Sequence, residues 1–78
     1  MYSTFFITGV TGYLGSIIIH RLNNLGGSFY CLKRKSSNTY RVSDIESKIN
    51  WVNAEDFEVA SFFEKNHVDS IIHCATDY

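Results

Sequence analysis

A chain of 78 residues makes one small domain at most, and a domain of this size buries only about 60 % of the surface that its unfolded chain exposes. Its composition is 45 % hydrophobic with a formal net charge of -1, which argues against intrinsic disorder and against a strongly basic nucleic-acid binder. No stretch approaches the roughly 20 apolar residues that span a bilayer, and the N-terminus lacks the features of a signal peptide. We therefore expect a cytoplasmic protein that binds neither nucleic acid nor membrane.

The first elements predicted along the chain are a strand and a helix. Residues 3–8 (STFFIT) are rich in β-branched and aromatic residues and are followed by Gly9, which is typical of a buried strand. Beyond the glycines, apolar residues recur at helical spacing until Gly26 and Gly27, and this pattern predicts a helix. The apolar positions of the helix are Leu14, Ile17, Ile18, Leu22 and Leu25.

Three more strands and one more helix are predicted downstream. Residues 28–33 (SFYCLK) and 48–52 (KINWV) are strand candidates, separated by a polar stretch that leaves room for one short helical turn. Residues 57–67 predict a helix with one apolar face, and residues 70–75 (SIIHCA) predict the fourth strand. The apolar face of that helix comprises Val59, Phe62 and Phe63.

The order of these elements predicts the fold class. Strands joined by helix-length connections are typical of parallel βαβ units, because parallel neighbours need crossovers. We predict an α/β fold, a partial Rossmann (doubly wound) fold, whose parallel sheet has about four strands in the order 3-2-1-4 with helices on its faces. Cys31 and Cys74 would then lie about 9.6 Å apart, beyond the roughly 7 Å limit for bridged Cα atoms, so we expect two buried free thiols.

Gly9, Gly12 and Gly15 recur at every third position where the first strand ends and the first helix begins. In such a turn the first glycine permits a tight bend, the second lets the backbone approach a pyrophosphate, and the third lets the helix pack against the sheet. The helix N-terminus then offers N–H groups and a partial positive charge to the phosphates. A glycine-rich turn that serves packing alone is the alternative, and the spacing by itself leaves it open.

Basic residues follow the second strand. Lys33, Arg34 and Lys35 stand where such domains meet the adenosine ribose, and a basic residue there favours a 2′-phosphate over a free 2′-hydroxyl. A solvated strand end is the alternative interpretation. Arg34 is the leading candidate for the 2′-phosphate, with Ser36 as its helper, because a guanidinium can bind a phosphate with two parallel hydrogen bonds.

Two further segments complete the candidate site. Asp56 and Phe57 follow the third strand, where they are placed to hold an adenine edge. An equally open alternative is that Asp56 is the N-cap of the helix that begins near Phe57. Ala75 and Thr76 stand at the C-terminal end of the fourth strand, beside the first strand, where the ligand of an open α/β sheet lies.

These segments together resemble a known family. The runs TGVTGYLG, CLKR, EDF and VDSIIHCAT occur in this order over nearly the whole chain. They are similar to the N-terminal half of the extended short-chain dehydrogenase/reductase family, the NAD(P)-dependent epimerases, dehydratases and reductases that act on nucleotide sugars and related substrates. The resemblance implies that the glycine turn surrounds the pyrophosphate, that Asp56 and Phe57 contact the adenine, and that Ala75 borders the ribose and nicotinamide. The cofactor-binding residues expected in the turn are Gly9, Thr11, Gly12, Tyr13, Leu14 and Gly15.

The end of the second strand also bears on the choice of cofactor. Many family members that use NAD carry an aspartate there, whereas this chain has Lys33 and Arg34. The chain therefore looks more like the members that prefer NADP. We expect NADP as the cofactor, with NAD as the alternative.

The catalytic residues of the family are not found in the chain. Family members use a tyrosine and a lysine four residues later, which share one face of a helix so that the lysine lowers the pKa of the tyrosine. None of the five tyrosines has a lysine at that distance. The histidines share no metal-ligand spacing with the cysteines, and His73, at the family's usual HxA position, has no catalytic partner that sequence reasoning identifies. We expect neither catalytic nor metal-binding residues here.

These observations lead to one main hypothesis and two alternatives. Residues 1–78 are expected to be the N-terminal, cofactor-binding part of an NADP-preferring epimerase, dehydratase or reductase, with no second domain, the catalytic half absent and no activity by itself. The alternatives are a stand-alone, non-enzymatic nucleotide-binding or interaction module, and a mononucleotide site of the flavodoxin-like kind. The exposed edge of the fourth strand predicts self-association, because apolar strand edges recruit partners.

Overall fold

A computed structural model of the chain describes residues 3–74. Its strands are β1 (Thr4–Thr8), β2 (Ser28–Lys33), β3 (Ile49–Asn53) and β4 (Ser70–His73), and its α-helices are α1 (Tyr13–Asn24) and α2 (Val59–Lys65). Two 3-10 helices complete it, the crossover segment Tyr40–Lys48 between β2 and β3 and the acidic turn Ala54–Asp56 after β3. Every predicted strand and helix is present, and the single turn expected before β3 is a nine-residue segment. Over this part of the chain, no helix combines the length and the hydrophobicity that crossing a membrane requires.

The four strands pair in parallel in the order β3-β2-β1-β4, which confirms the predicted order. β1 therefore lies between β2 and β4, and Thr8 at its end is opposite Leu32 on one side and His73 on the other. The C-terminal ends of these three strands meet at one edge of the sheet, where open α/β folds place their ligands. The order is that of dinucleotide-binding folds, whereas a flavodoxin-like sheet places β1 between β2 and β3.

The main core lies between the sheet and α1. Each large apolar side chain buried there stabilises the fold by about 1.5–3 kcal/mol relative to the exposed side chain. The crossover segment closes the core beside α1. The fully buried side chains of this core include Ile7, Ile19, Phe29, Cys31 and Val42.

The opposite face of the sheet is covered by aromatic rings. Phe6 is 3 % exposed, and its ring centroid lies 5.4, 5.2 and 5.3 Å from those of Phe57, Phe62 and Phe63. These distances are typical of stacked and edge-to-face aromatic pairs. No residue of α2 is fully buried, so this second layer is thin.

The buried face of α1 differs from the predicted one. Gly15, Ser16 and Ile19 are buried, whereas Leu14 and Leu25 are 57 % and 78 % exposed. Ile17 is exposed as well, so the predicted apolar stripe was wrong at Leu14, Ile17 and Leu25. The physical reason is that α1 approaches the sheet through the backbone at Gly15, which turns the helix so that Leu14 faces outward.

The start of α2 also differs from the prediction. The helix begins at Val59, and the carboxylate of Glu58 accepts the N–H of Ser61 at 2.7 Å, so Glu58 is the N-cap and the alternative role of Asp56 is wrong. Val59, expected on the apolar face, is 59 % exposed. Phe57 has an extended backbone, which lets its ring stack on Phe6. Because of this contact, the helix begins at Val59 and not at Phe57.

Both cysteines are buried free thiols, as predicted. Burial raises the pKa of the Cys31 thiol to about 12, so this thiol stays protonated at neutral pH and is a poor nucleophile. Burial also raises the pKa of Cys74. Among residues 3–74, no group of three or more histidine, cysteine, aspartate or glutamate side chains is arranged to hold a metal ion.

A histidine ties α1 to the crossover segment. His20 Nδ1 lies 2.6 Å from the carbonyl oxygen of Ser16, and His20 Nε2 lies 2.9 Å from a carboxylate oxygen of Asp44. Both partners are acceptors, so the ring satisfies both only as a doubly protonated imidazolium. The hydrogen bond with Asp44 accordingly raises the pKa of His20 and lowers that of Asp44.

Candidate functional site

An open cavity of about 410 Å³ lies at the edge of the sheet where β1, β2 and β4 end. Its walls come from the three strand ends, the glycine turn and the first residue of the acidic turn. The residues that line it are Thr8, Gly9, Thr11, Leu32, Lys33, Arg34, Ser37, Ala54, His73 and Cys74. Four of them are cofactor-binding residues predicted from the sequence, namely Gly9, Thr11, Lys33 and Arg34, whereas the predicted residues Gly12, Tyr13, Leu14, Gly15 and Ser36 are not among its lining.

Gly9 is required by the backbone of the turn. Its φ of 82° lies in the left-handed region that side chains disfavour. A Cβ built on Gly9 would also stand 2.4 Å from the carbonyl oxygen of Cys74. Glycine here therefore allows both the tight bend after β1 and the close approach of the chain that leaves β4.

Gly15 is required by packing. A Cβ at this position would stand 2.0 Å from the carbonyl oxygen of Gly9 and 2.9 Å from the Cα of Val10. These are backbone atoms, which cannot move aside as a flexible side chain could. The predicted role of the third glycine, to bring the helix against the sheet, is confirmed.

Neither the backbone conformation nor the packing of the protein requires a glycine at position 12. Its φ of -87° and ψ of 173° are extended backbone that any residue adopts, and a Cβ here would meet only the carbonyl oxygen of Gly9, at an ordinary 3.5 Å. Gly12 is the N-cap of α1, and the first turn of that helix carries no acidic side chain. The positive end of the helix dipole and its free N–H groups are thus open to an anion.

The basic turn after β2 forms the second wall of the cavity. The N–H of Arg34 donates to Ser37 Oγ at 3.2 Å, and the N–H of Ser37 donates to the carbonyl of Arg34 at 3.0 Å. Ser37 therefore closes the turn and lines the cavity, whereas Ser36, the predicted helper, is exposed beside it. The second serine of the run KRKSS, directly after Ser36, was the available signal for Ser37.

The charges near this wall have mixed signs. Lys33 Nζ lies 5.7 Å from the ring centroid of Trp51, a cation–π geometry. Within residues 3–74, no carboxylate comes within salt-bridge distance of Arg34. Glu55, which sequence reasoning missed, accepts the N–H of Lys35 at 3.4 Å and brings one carboxylate beside the basic turn.

Asp56 and Phe57 lie apart from this cavity. The side-chain N–H of Asn53 donates to Asp56 at 3.2 Å, and the Phe57 ring stacks on Phe6. Both residues line a second cavity of about 280 Å³ beside α2 instead. Their contact with an adenine stays a prediction, and the predicted positions Ala75 and Thr76 lie outside the described residues.

Sequence reasoning also missed the partner of His73. Thr8 Oγ1 and His73 Nδ1 are 2.5 Å apart, and the two residues face each other across β1 and β4. Both line the cavity. The available signal was the strand order itself, because a sheet in the order 3-2-1-4 places the end of β4 next to the end of β1.

The fold and the geometry of this edge define a class of protein. A parallel sheet in the order 3-2-1-4, with a glycine turn between β1 and α1 and a cavity at the strand ends, is the first half of a Rossmann-type domain. Comparison with known proteins agrees at the level of the fold. The crystal structure of the Bordetella bronchiseptica enzyme WbmH in complex with NAD+ superimposes with a TM-score of 0.73 at 20 % sequence identity, covering 100 % of this chain and 27 % of that one.

The family follows from sequence comparison. The family model described as the NAD dependent epimerase/dehydratase family matches residues 5–78, and the chain belongs to this family. The resemblance drawn from the motifs is thereby confirmed. CDP-abequose synthase of Salmonella muenchen is 33 % identical over 72 residues, which are 92 % of this chain and 23 % of that protein. The chain thus spans about a quarter of the length of these two relatives.

Proposed function

We propose that this chain binds a nicotinamide dinucleotide across the C-terminal edge of its sheet, as the cofactor-binding part of an epimerase, dehydratase or related reductase. The observation that carries the proposal is Gly12. Gly9 and Gly15 are explained by contacts within the protein, whereas a Cβ at Gly12 would meet a protein atom only at an ordinary contact distance, the carbonyl oxygen of Gly9 at 3.5 Å. Membership of the NAD dependent epimerase/dehydratase family and the NAD+ held by WbmH support the same ligand.

The three parts of such a ligand, the pyrophosphate and the two nucleoside halves, fit different residues of this edge. The pyrophosphate would lie over Gly12, where the first N–H groups of α1 and the helix dipole favour negative charge. The adenosine half would extend towards the basic turn, with Asp56 and Phe57 beyond it. The other half would extend towards β4, because β1 lies between β2 and β4. The residues proposed to bind the cofactor remain those named from the sequence, including Ala75 and Thr76.

NADP is the preferred dinucleotide in this proposal. Arg34 has no carboxylate partner among the described residues, so its guanidinium is available for a 2′-phosphate. Glu55 opposes this preference, because a carboxylate beside the ribose accepts a hydrogen bond from a free 2′-hydroxyl. NAD is therefore the alternative, and the family description and WbmH both name it.

Binding without turnover is the expected property of the chain alone. It has no tyrosine with a lysine four residues later, which is the pair that the family uses for hydride chemistry. The nucleotide-sugar substrate class and a cytoplasmic location are further proposals that follow from family membership and sequence.

Calorimetric titration of the chain with NADPH and NADH tests the proposal. A Gly12→Ala variant should bind the preferred dinucleotide about 5- to 150-fold more weakly, because overpacking costs about 1–3 kcal/mol. Its thermal unfolding should stay close to that of the unchanged chain, since the added Cβ meets no protein atom closer than 3.5 Å. Unaltered affinity in Gly12→Ala would contradict the pyrophosphate site.

The choice of cofactor is tested separately with Arg34→Asp. This change should lower the affinity for NADPH and raise that for NADH, whereas Lys35→Asp, one residue further along, is the matched control for charge alone. Equal effects of the two variants, or equal affinity of the unchanged chain for both cofactors, would remove Arg34 from the 2′-phosphate site and leave the dinucleotide site itself intact.

Self-association through β4 is a further part of the proposal. β4 is an edge strand of the sheet formed by residues 3–74, and Ile71 within it is 64 % exposed. An edge strand presents unpaired N–H and C=O groups to any second strand. A second copy of the chain is the partner that we propose for this edge.

A further inference from the structure

His73 is the one motif residue that sequence reasoning left without a role, and the structure supplies its partner. Thr8 Oγ1 lies 2.5 Å from His73 Nδ1, and both side chains line the cavity. The pair stands at the ends of β1 and β4. Lys33 and Arg34 stand across Gly9, at the end of β2. The cavity therefore has a basic side and a histidine side.

The direction of the hydrogen bond between Thr8 and His73 decides what His73 can offer to a ligand, because a hydroxyl can donate to Nδ1 or accept from it. When this hydroxyl donates to Nδ1, the neutral ring carries its hydrogen on Nε2. When the ring is an imidazolium, Nδ1 donates to the hydroxyl, and Nε2 again carries a hydrogen. In both of these states Nε2 is a donor, whereas in the remaining neutral form Nδ1 carries the hydrogen, donates to the hydroxyl and leaves Nε2 as an acceptor. Among residues 3–74, the carboxylates that pair with histidines belong to His20 and His67, and none of them engages His73.

We propose that the Thr8 hydroxyl donates to Nδ1 of His73, and that His73 in turn donates a hydrogen bond from Nε2 to an oxygen of the nicotinamide nucleotide, the half of the ligand that extends towards β4. The oxygen is a ribose hydroxyl or a phosphate oxygen, both of which accept hydrogen bonds. This inference rests on the dinucleotide site proposed above. His73 is the binding residue, and Thr8 is a positioning residue that acts through it.

The position of β1 in the sheet decides which half of the ligand His73 meets. The end of β1 lies between the end of β2 and the end of β4, so a molecule that crosses the glycine turn has one half on each side. A fragment that contains only the adenosine half, such as 2′,5′-ADP, reaches the basic side and does not reach His73. The fragment and the whole dinucleotide should therefore respond differently to a change at His73.

Titration of the full chain with NADPH and with 2′,5′-ADP, or with NADH and ADP if NADH binds more tightly, tests this expectation. His73→Ala should weaken dinucleotide binding about 2- to 13-fold, the range expected for one hydrogen bond, and should leave fragment binding within about twofold. His73→Gln, which keeps a donor at a similar reach, should recover part of the loss. Thr8→Val should weaken dinucleotide binding less than His73→Ala, and Thr8→Ser, which keeps the hydroxyl, should match the unchanged chain.

The ¹⁵N chemical shifts of the His73 ring give a readout that a purely structural role would not move. The free chain should show Nε2 protonated and Nδ1 unprotonated, Thr8→Val should show a mixture of both neutral forms, and NADPH should shift the Nε2 resonance. A dominant Nδ1–H form, or equal loss of fragment and dinucleotide binding in His73→Ala, would overturn the inference. If the unsubstituted chain binds neither ligand, the proposed function itself is overturned. If His73→Ala binds both the fragment and the dinucleotide with unaltered affinity, only the role of His73 is overturned.

Discussion

α1 covers one face of the sheet and α2 covers the other, and the two faces differ in how deeply they are buried. On the α1 face, Ile7, Ile19 and Phe29 have no exposed surface. On the α2 face, Phe6 is buried, but the rings of Phe62 and Phe63 above it are only half-buried. The comparison teaches that the stability of the chain is concentrated on the α1 face, which also carries the glycine turn.

The largest expected effect on stability comes from removing a buried aromatic ring, and it should differ between the two faces of the sheet. Phe29→Ala should lower the free energy of unfolding by about 3–5 kcal/mol, the cost of a cavity left by a fully buried aromatic ring. Phe63→Ala, its counterpart on the α2 face, should cost clearly less, because that ring is partly exposed already. Urea unfolding followed by circular dichroism measures both. Equal losses would mean that the two faces contribute alike.

The glycine turn provides the next largest effect. Gly15→Ala should lower the free energy of unfolding by about 1–3 kcal/mol or more, because its Cβ would stand 2.0 Å from the carbonyl oxygen of Gly9. Gly12→Ala is the matched control, three residues away with only an ordinary contact at its Cβ. Thermal unfolding of the two variants should therefore diverge, and similar melting temperatures would show that Gly15 is not held against the backbone of Gly9 and Val10.

A smaller effect concerns pH and the contact between α1 and the crossover segment. The pKa of His20 is raised above its ordinary value of 6.5, so its contribution to stability is present below that pH and is lost as pH rises through the folded pKa. The pKa of Asp44 is lowered below 3.8, so its contribution is lost only as pH falls through the lower folded value. The contact should stabilise the chain most between these two limits.

The measurement is the difference in melting temperature between the unchanged chain and His20→Gln. This difference should be larger at about pH 5 than at about pH 8.5, and Asp44→Asn should reproduce it. His67→Gln is the control, because His67 pairs with Asp69 in its own loop and joins no helix to the crossover segment. A difference that does not vary with pH would contradict the imidazolium between Ser16 and Asp44.

The smallest expected effect on stability comes from the edge of the α2 face. Ile71→Lys should change the free energy of unfolding by no more than about 0.5 kcal/mol, as surface substitutions usually do. It should nevertheless reduce self-association, because a charged edge strand resists pairing. Light scattering at increasing protein concentration checks this, with Val59→Lys, also exposed on this side of the chain, as the control. If the unsubstituted chain stays monomeric at high concentration, the proposed pairing through β4 is contradicted.

Several features could be predicted because they depend on near neighbours in the chain. The strands and helices follow from apolar runs and from their spacing, and the parallel order follows from the length of the connections. The positive φ of Gly9 and the contact of Gly15 with Gly9 are likewise local, since six positions separate the two glycines. For the same reason Lys33 and Arg34 were correctly placed at the end of β2, in the wall of the cavity.

Other features depend on how the folded segments pack in three dimensions, which the apolar pattern does not specify, and they escaped prediction. Leu14 is exposed because the approach of Gly15 to Gly9 fixes the rotation of α1, which periodicity alone leaves free. Phe57 stays outside α2 because its ring packs on Phe6 from another strand. Asp56 likewise faces Asn53 and not the start of the helix.

The sequence by itself determined the element order, the parallel sheet and the glycine turn, because local backbone preferences and apolar periodicity suffice for these. Only the tertiary structure decided that Gly12 has room for a Cβ while Gly15 does not, and that Thr8 meets His73 across 65 positions of the chain. The physical reason is that both facts concern distances between segments. Such distances are set when the faces of the sheet are packed, and they are not encoded in any one segment.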